Sequence, residues 1–549
     1  MKKDPRNLFN DMKQEYTSWQ SAHKDIQKFI VPTRGNFDGQ PNRGKTINHQ
    51  DLIDSHATWC NQVLGSGMMS GLVSPSRPWF KLTIADSDLM KSKAVQLYLD
   101  EVQSRMFAVF SKSNFYGVLN SSFEEMGSFG TSAYSLLVDE DEIIRGQNYT
   151  AGEYFIAVDS RGRPSGIGRE FYLTVGQLVV DYGIGNVSRH TRNAFERGQY
   201  QEWVKVFHLI SYNYERNPLK TDNLNFNFRA HTWEEGHARD EFLVIEGFHE
   251  FPTITPRWAV NKTSDVYGRS PAWHALGDVK MLQRLHMKKF EALEKVLDPP
   301  VQVDSSVQDI SVNTLPGGVS RVSSTNQNGG VRPAYQINPD MNAIRVEIDG
   351  TKESIEKHFF TDFFLAMLND GRSGITATEV VEIHGEKMLM LGPILERTQN
   401  EKLDPSIDRV FNILQREGAL PEPPPELVGH DIKVEYISTM AVAQRMVGVT
   451  SIQQTLQFVG NLAGTYPEVL DAIDPIEAVQ IYADLSGSPS KMIRSREQMN
   501  DLAKAREQDK IRMESMANAQ TMINGAKLLS ETEVGKNSAL DQMLGLRTE

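Results

Sequence analysis

Between Val266 and Gln415 apolar residues recur at threes and fours in long runs, interrupted by two polar breaks. The first run carries Leu276, Val279, Leu282, Leu285, Phe290, Leu293 and Leu297. Ser270 suits the N-cap, Pro271 suits the first helical position, and Asp298-Pro299-Pro300 stops the run. A helix from Pro271 to Leu297 would be roughly 40 Å long at about 1.5 Å per residue. Lys280, Arg284 and Lys288 fall at i, i+4 and i+8 on another face. Most such rows are solvated faces; the functional alternative is a basic stripe that meets DNA or a neighbouring subunit's acids.

A polar insert, Val301 to Gln336, follows. Val301 to Val303 and Val319 to Val322 read as short strands, and Pro316-Gly317-Gly318 and Asn328-Gly329-Gly330 as turns. It is too small and polar for a core of its own, which points to neighbours and to oligomerisation. A second helix is predicted from Ala343 to Leu368, with Ile344, Ile348, Ile355, Phe359, Phe363 and Met367 as its stripe. Gly350 weakens it by about 1 kcal/mol relative to alanine. Glu347, Asp349, Glu353 and Glu356 make it acidic, complementary to the first helix within or between subunits. Then comes the loop Asn369-Asp370-Gly371-Arg372-Ser373-Gly374-Ile375. Thr376 and Glu379 form a capping box for a third helix, which Gly392-Pro393 kinks and which resumes to Gln415. Helix, insert, helix, loop, helix is a layout for building a tube. The helices line it, the insert caps one end, and the loop projects into it.

Before this region, helices are predicted over Phe9–Ile30, Leu52–Leu72, Ala94–Phe110 and Tyr116–Met126. Strands follow at Ala133–Val138, Tyr154–Val158, Gly168–Tyr172, Val204–Ile210, Phe226–Trp233 and Phe242–Phe248. Leu173–Asp181 and Val187–Glu196 are short helices. After it, Pro421–Pro425 is a rigid linker, Asp431–Ile437 a strand, and the chain beyond Met440 is helical. The tail from Arg494 has helix formers but few large apolar residues, so it is a helix held by an assembly or partly disordered.

The chain has 549 residues, enough for several domains, and a net charge of −13. That balance excludes a protein that coats DNA with a broad basic surface. It suits a wall past which DNA slides, with a few basic residues for local contact. No run of about 18 apolar residues is present and Met1-Lys2-Lys3-Asp4-Pro5 leads into no apolar segment, so neither a membrane span nor a secretory signal is expected. The lone Cys60 rules out an internal disulfide and a cysteine-rich zinc site and reads as a buried thiol.

Gly39-Gln40-Pro41-Asn42-Arg43-Gly44-Lys45-Thr46 fits the phosphate-loop pattern G-x-x-x-x-G-K-T. A working loop needs a buried strand before Gly39 and a helix opening at Lys45-Thr46. Polar sequence flanks it on both sides, and Pro41 removes a needed N–H, so the match is read as fortuitous. Phe155–Asp159 and Leu178–Asp181 are poor partners for it, the first running into a turn and the second helical. Gly65, Gly67 and Gly71 lie inside a helical pattern and indicate close helix packing. No metal site, cofactor site or catalytic constellation emerges, and no enzymatic activity is expected.

Several blocks resemble the portal, or head-to-tail connector, proteins of short-tailed double-stranded DNA phages. They are Leu72-Val73-Ser74-Pro75-Ser76-Arg77-Pro78-Trp79-Phe80-Lys81-Leu82, Ser113-Asn114-Phe115-Tyr116, Gly127-Ser128-Phe129-Gly130-Thr131 and Arg169-Glu170-Phe171. Val266-Tyr267-Gly268-Arg269-Ser270-Pro271 with Leu276-Gly277-Asp278 is the most specific, and Thr376-Ala377-Thr378-Glu379-Val380 follows the glycine loop. The resemblance implies an α+β, mainly helical portal fold assembling as a dodecameric ring. Residues 1–265 and 376–438 would be the wing, 266–298 and 339–368 the stem helices, 299–338 the clip and 369–375 the tunnel loop. Residues 439–493 would be the crown and 494–549 a barrel helix or tail. It further implies a channel for packaging and ejecting duplex DNA at one capsid vertex of a virion assembled in the host cytoplasm. Implied partners are capsid and scaffolding proteins, the terminase large subunit (which carries the ATPase), tail adaptors and internal core or ejection proteins. Arg372 and Ser373 are the first candidates for contact with DNA; Lys280, Arg284 and Lys288 are the second. A phosphate-loop NTPase moving nucleic acid and another head–tail adaptor are the rival readings.

Overall fold

The computed structural model describes residues 4–39, 41, 51–86, 89–217, 219–297, 301–303, 331–333, 340–369, 390–427, 429–438, 440 and short stretches between 455 and 521. The chain divides into two compact units, 1–448 and 449–549. In the second, positions 457–462, 508–509, 511–513, 515–516 and 519–521 are helical.

The first unit opens with α1 (Pro5–Phe29), α2 (His56–Leu72), β1 (Phe80–Ile84), α3 (Lys93–Lys112) and α4 (Phe115–Phe129). Next come β2 (Ala133–Asp139), β3 (Ile143–Tyr149), β4 (Tyr154–Val158), β5 (Pro164–Thr174), α5 (Val175–Tyr182) and α6 (Arg189–Glu196). Then β6 (Trp203–Tyr212), β7 (Phe228–Glu234), β8 (Val244–Phe248) and β9 (Thr253–Ile254) lead to α7 (Pro271–Leu297). β10 (Val301–Val303), β11 (Val331–Pro333), α8 (Met341–Phe359) and α9 (Thr361–Asn369) follow. A helix over 390–398, α10, passes through a π-helical turn at Gln399–Leu403 into α11 (Asp404–Arg416), and β12 (Ile432–Tyr436) closes the unit.

The mixed helix-and-sheet class agrees with expectation. β4 to β8 form an antiparallel meander in sequence order. α1 lies against this sheet because Phe9 presents its ring edge-on to Phe155, Phe207 and Trp233, with centroids 5.5 to 5.7 Å apart. A smaller core under α5 and α6 holds Val175, Leu178, Val187, Val204 and Val206. A three-stranded sheet runs β3-β2-β9, while β1 pairs with β12. α2, α4 and α7 cross at the centre of the main core.

Four strands escaped the sequence pattern: β1, β3, β9 and β11. β3 contains Arg145-Gly146-Gln147-Asn148, and its apolar signal is confined to its ends. An acidic turn, Asp139 to Glu142, connects β2 to β3, and the Asp139 carboxylate accepts the N–H groups of Asp141 and Glu142 at 3.0 and 2.9 Å. The second long helix is also corrected. It breaks at Phe360, which takes a left-handed conformation at φ +55, so the predicted Ala343–Leu368 span is two helices. Gly350, the intrinsically weak position, stays helical. In the third helix, Gly392 and Pro393 lie within helical backbone and the irregular turn sits at 399–403.

Candidate functional site

The helix pair α7–α8 is the feature that the sequence pattern marks for function, and its base is locked by polar contacts. Ser270 caps α7: its Oγ accepts the Trp273 N–H at 2.9 Å and donates to the Ser128 carbonyl at 2.6 Å. The Gly268 N–H donates to Thr131 Oγ1 at 2.8 Å. Gly130, at φ +75, ends α4, and a Cβ there would lie 2.3 Å from the Gly268 carbonyl oxygen. Two blocks that stand out in the sequence, Gly127–Thr131 and Val266–Pro271, therefore interlock in space. Buried Arg257 ties this junction to the π-helical turn. Its Nη2 donates to Glu401 Oε1 and to the Gly162 carbonyl, both at 2.7 Å, and its Nη1 to the Asp265 carbonyl at 2.8 Å.

α7 and α8 run antiparallel. Near the base, Asp278 accepts from Ser354 Oγ at 2.7 Å and faces His358 Nε2 at 3.6 Å. Two turns further along α7, the Asp54 carboxylate lies 3.1 Å from His286 Nε2 on α7 and 2.8 Å from Lys352 Nζ on α8. Gln283 completes this staple: its Oε1 accepts the N–H groups of Ile53 and Asp54 at 2.8 and 2.9 Å. Burial opposes ionisation of Asp54, but Lys352, the His56 N–H and His286 together hold its carboxyl below the usual range.

α9 carries the root of the 369–375 loop and is seated on α2. A Cβ at Gly67 would fall 2.2 Å from the Phe364 ring, so the ring occupies the space that a side chain would need. The glycines of α2 thus serve close packing, as their helical setting predicts. Cys60 lies beside Thr361 in the same seam, and burial pushes its thiol up to about 12.

The basic row is divided. Lys280 Nζ pairs with Asp25 of α1 at 2.6 Å, and Lys288 pairs with Glu291 at 2.6 Å. Arg284 is exposed, with no ion pair among the described residues. The acids of α8 look elsewhere: Asp349 to Arg345 at 3.6 Å, Glu353 to Lys357 at 2.8 Å and Glu356 to His56 at 3.1 Å. Among the described residues the basic row of α7 and the acids of α8 form no ion pair with each other within the chain. Of the insert, β10 pairs with β11, and residues 304–330 lie outside the described residues. Asn369 ends α9; Asp370, Gly371, Arg372, Ser373, Gly374, Ile375 and the Thr376–Glu379 box lie outside them as well.

Among the described residues the phosphate-loop match lacks the strand it needs before Gly39. The chain before Gly39 is turns and bends, and the Gly39 carbonyl accepts the Tyr172 hydroxyl. Asp159 binds the N–H groups of Arg161 and Arg163 in its own turn at 2.8 Å, and Leu178–Asp181 lies inside α5. Gln40 and residues 42–46 are outside the described set.

Two buried ionisable groups carried no sequence signal. Lys402, in the π-helical turn, has its Nζ 3.2 Å from the centre of the Phe123 ring and donates to the Leu119 carbonyl at 3.2 Å. Burial without a carboxylate partner lowers its pKa well below that of an ordinary lysine. Glu125 is fully enclosed, and burial raises it to about 7 against the pull of Arg34 and Thr150. Among the described residues no group of His, Cys, Asp and Glu is placed to hold a metal, and no helix is long and apolar enough to cross a membrane.

Residues 2–493 match the family described as bacteriophage head to tail connecting protein. The portal protein of Salmonella phage epsilon15 is 38% identical over 531 residues, 96% of this chain and 95% of that one. The probable portal protein of Bordetella phage BPP-1 is 37% identical over 533 residues, 97% and 96% of the two chains. A chain from the virion of a native gene transfer agent particle covers 78% of this chain and 93% of its own at 10% identity; its TM-score of 0.28 carries no argument.

Proposed function

The chain belongs to the family of bacteriophage head-to-tail connecting proteins, and from that premise we propose how its parts act in a portal ring. It is a structural connector at the capsid vertex, and capsid and tail proteins are its partners in the virion. The observation that carries this reading is 38% identity to a phage portal protein over 96% of the chain. In the proposed ring, a dodecamer, α7 and α8 are the stem. Residues 299–338 form the clip that docks terminase during packaging and the tail afterwards. Duplex DNA enters and leaves along the axis, the terminase large subunit hydrolyses the nucleotide, and this chain is the passive conduit. Scaffolding proteins and internal core or ejection proteins meet the ring during assembly in the host cytoplasm.

The loop 369–375 is the proposed tunnel loop, with Arg372 and Ser373 meeting DNA. Its support is mechanical and electrostatic. The helix leading into it is clamped by Phe364 on Gly67, and a net charge of −13 per chain leaves a mostly repulsive wall in which a single arginine counts. Lys280, Arg284 and Lys288 rank second, because two of the three already hold carboxylates.

The mass of the purified particle and class averages along its axis test the reading. A closed ring with an open channel is expected; discrete monomers or a plugged disc reject it. Within a ring, Arg372→Ala should leave assembly intact and lower DNA packaging or retention. Full heads at wild-type yield would remove the loop from the DNA path.

A further inference from the structure

The connection between β6 and β7 inverts the usual layout of a surface loop. Its polar groups turn inward. Asn213, 4% exposed, accepts the Glu215 N–H at 3.2 Å and donates through Nδ2 to the Leu224 and Phe226 carbonyls at 3.0 and 3.1 Å. Asn225 Oδ1 accepts the Asn217 N–H at 3.0 Å, and Asn223 Oδ1 accepts the Gly247 N–H of β8 at 3.0 Å. Asn227 Nδ2 donates to the His249 carbonyl and Arg229 Nη2 to the Leu224 carbonyl, both at 2.8 Å. The loop lies so close to β8 that a Cβ at Gly247 would fall 1.7 Å from the Asn223 carbonyl oxygen. Large apolar side chains face water instead. Leu219, 93% exposed, is the most exposed of them among the described residues, and Tyr214 is 81% exposed. Charge is left over as well. In a chain of net charge −13, Arg216 and Lys220 are exposed and form no ion pair among the described residues. Glu215 faces Arg229 at 3.5 Å, and Asp222 is held by Asn225. Long connections without regular structure are usually functional, and exposed apolar side chains on a fixed backbone suit a partner.

We infer that this loop is a preformed docking site for an acidic, apolar-bearing segment of a different virion protein. The inference rests on the connector reading, which supplies the class of partner, and adds to it the surface that receives one. Tyr214 and Leu219 provide the apolar contact. Arg216 and Lys220 select an acidic partner and set its register. The asparagine bonds already order the backbone in the free chain, so little ordering cost is left for binding. Duplex DNA is the poorer match: two cations flanked by Glu215 and Asp222 make a weak phosphate site, and Leu219 would stay uncovered.

Full-length variants, produced in cells that assemble the heads, test this. Y214S/L219S should close rings and melt as the wild type does, because both side chains are exposed, yet enter heads at least about tenfold less often. R216E/K220E should lose incorporation to a similar extent. Leu219→benzoylphenylalanine in assembled virions should cross-link on irradiation to an acidic segment of another virion polypeptide, located by peptide mass mapping. Wild-type incorporation of either double variant overturns the inference. So does a cross-link confined to this chain, which would make the loop a contact between copies, a cross-link confined to DNA, or none at all. Wild-type protein that never closes a ring overturns the portal reading and this surface with it, whereas wild-type rings whose loop variants enter heads normally overturn this surface alone.

Discussion

The two ends of α7 follow opposite rules. At its N-terminus, Ser270, Gly268 and Gly130 leave no room and no unmatched donor, and Arg257 carries the lock to Glu401. At its C-terminus, Phe290 and Leu297 stand in water. The same helix with the same period is completed by its own chain at one end and left incomplete at the other. Tight, polar-satisfied packing is what a fixed base needs; exposed apolar surface is what a subunit contact needs before its partner arrives. The contrast teaches where to look for function in a structural connector.

Substitutions at the base should act on the fold. Gly130→Val combines a positive φ with a collision on the Gly268 carbonyl, and a loss of about 3 kcal/mol or more in denaturant unfolding is expected. A near-neutral value would show that the α4–α7 junction relaxes freely. Glu401→Ala strands the buried Arg257 guanidinium and should cost about 3–5 kcal/mol. Stability equal to wild type would mean that water reaches Arg257.

Lys402→Met probes the same base with pH. The folded state holds this amine neutral over a range where the unfolded chain is protonated, so wild-type stability rises with pH up to the ordinary lysine value, about 10.4. The variant should melt above wild type at pH 7, and the gap should shrink toward pH 10. A gap that does not change with pH would show an amine that stays charged. The smallest effect on the fold is expected at the other end. Phe290→Ser should change unfolding by no more than about 0.5 kcal/mol, yet lower ring yield by sedimentation. A large loss of monomer stability would place Phe290 in the core and erase the contrast.

How far the sequence could be read follows the same division. The ends of α7 were legible because Ser270, Pro271 and Pro299 act through the local backbone. The helix-packing role of the α2 glycines was legible from period alone. The break at Phe360 was not, because no propensity favours a left-handed phenylalanine; beyond it, α9 sets Phe364 against Gly67 of α2. Asp54 gave no hint of bridging His286 and Lys352, which lie hundreds of positions away. Lys402 sits in an ordinary polar stretch, and its burial depends on an irregular turn that turns Lys402 inward and Glu401 toward Arg257. The family blocks carried the functional reading.

The pairing of β1 with β12 has a bearing on timing. Thr83 and Lys433, joined across that pair, stand 350 positions apart. At about 5–20 residues per second, a ribosome needs roughly 20–70 s to deliver the second strand after the first. The helix pair, whose second helix ends at Phe359, is synthesised late in that interval, and the pairing that closes the body follows it. The body therefore closes on its own N-terminal strand only after synthesis has passed Tyr436.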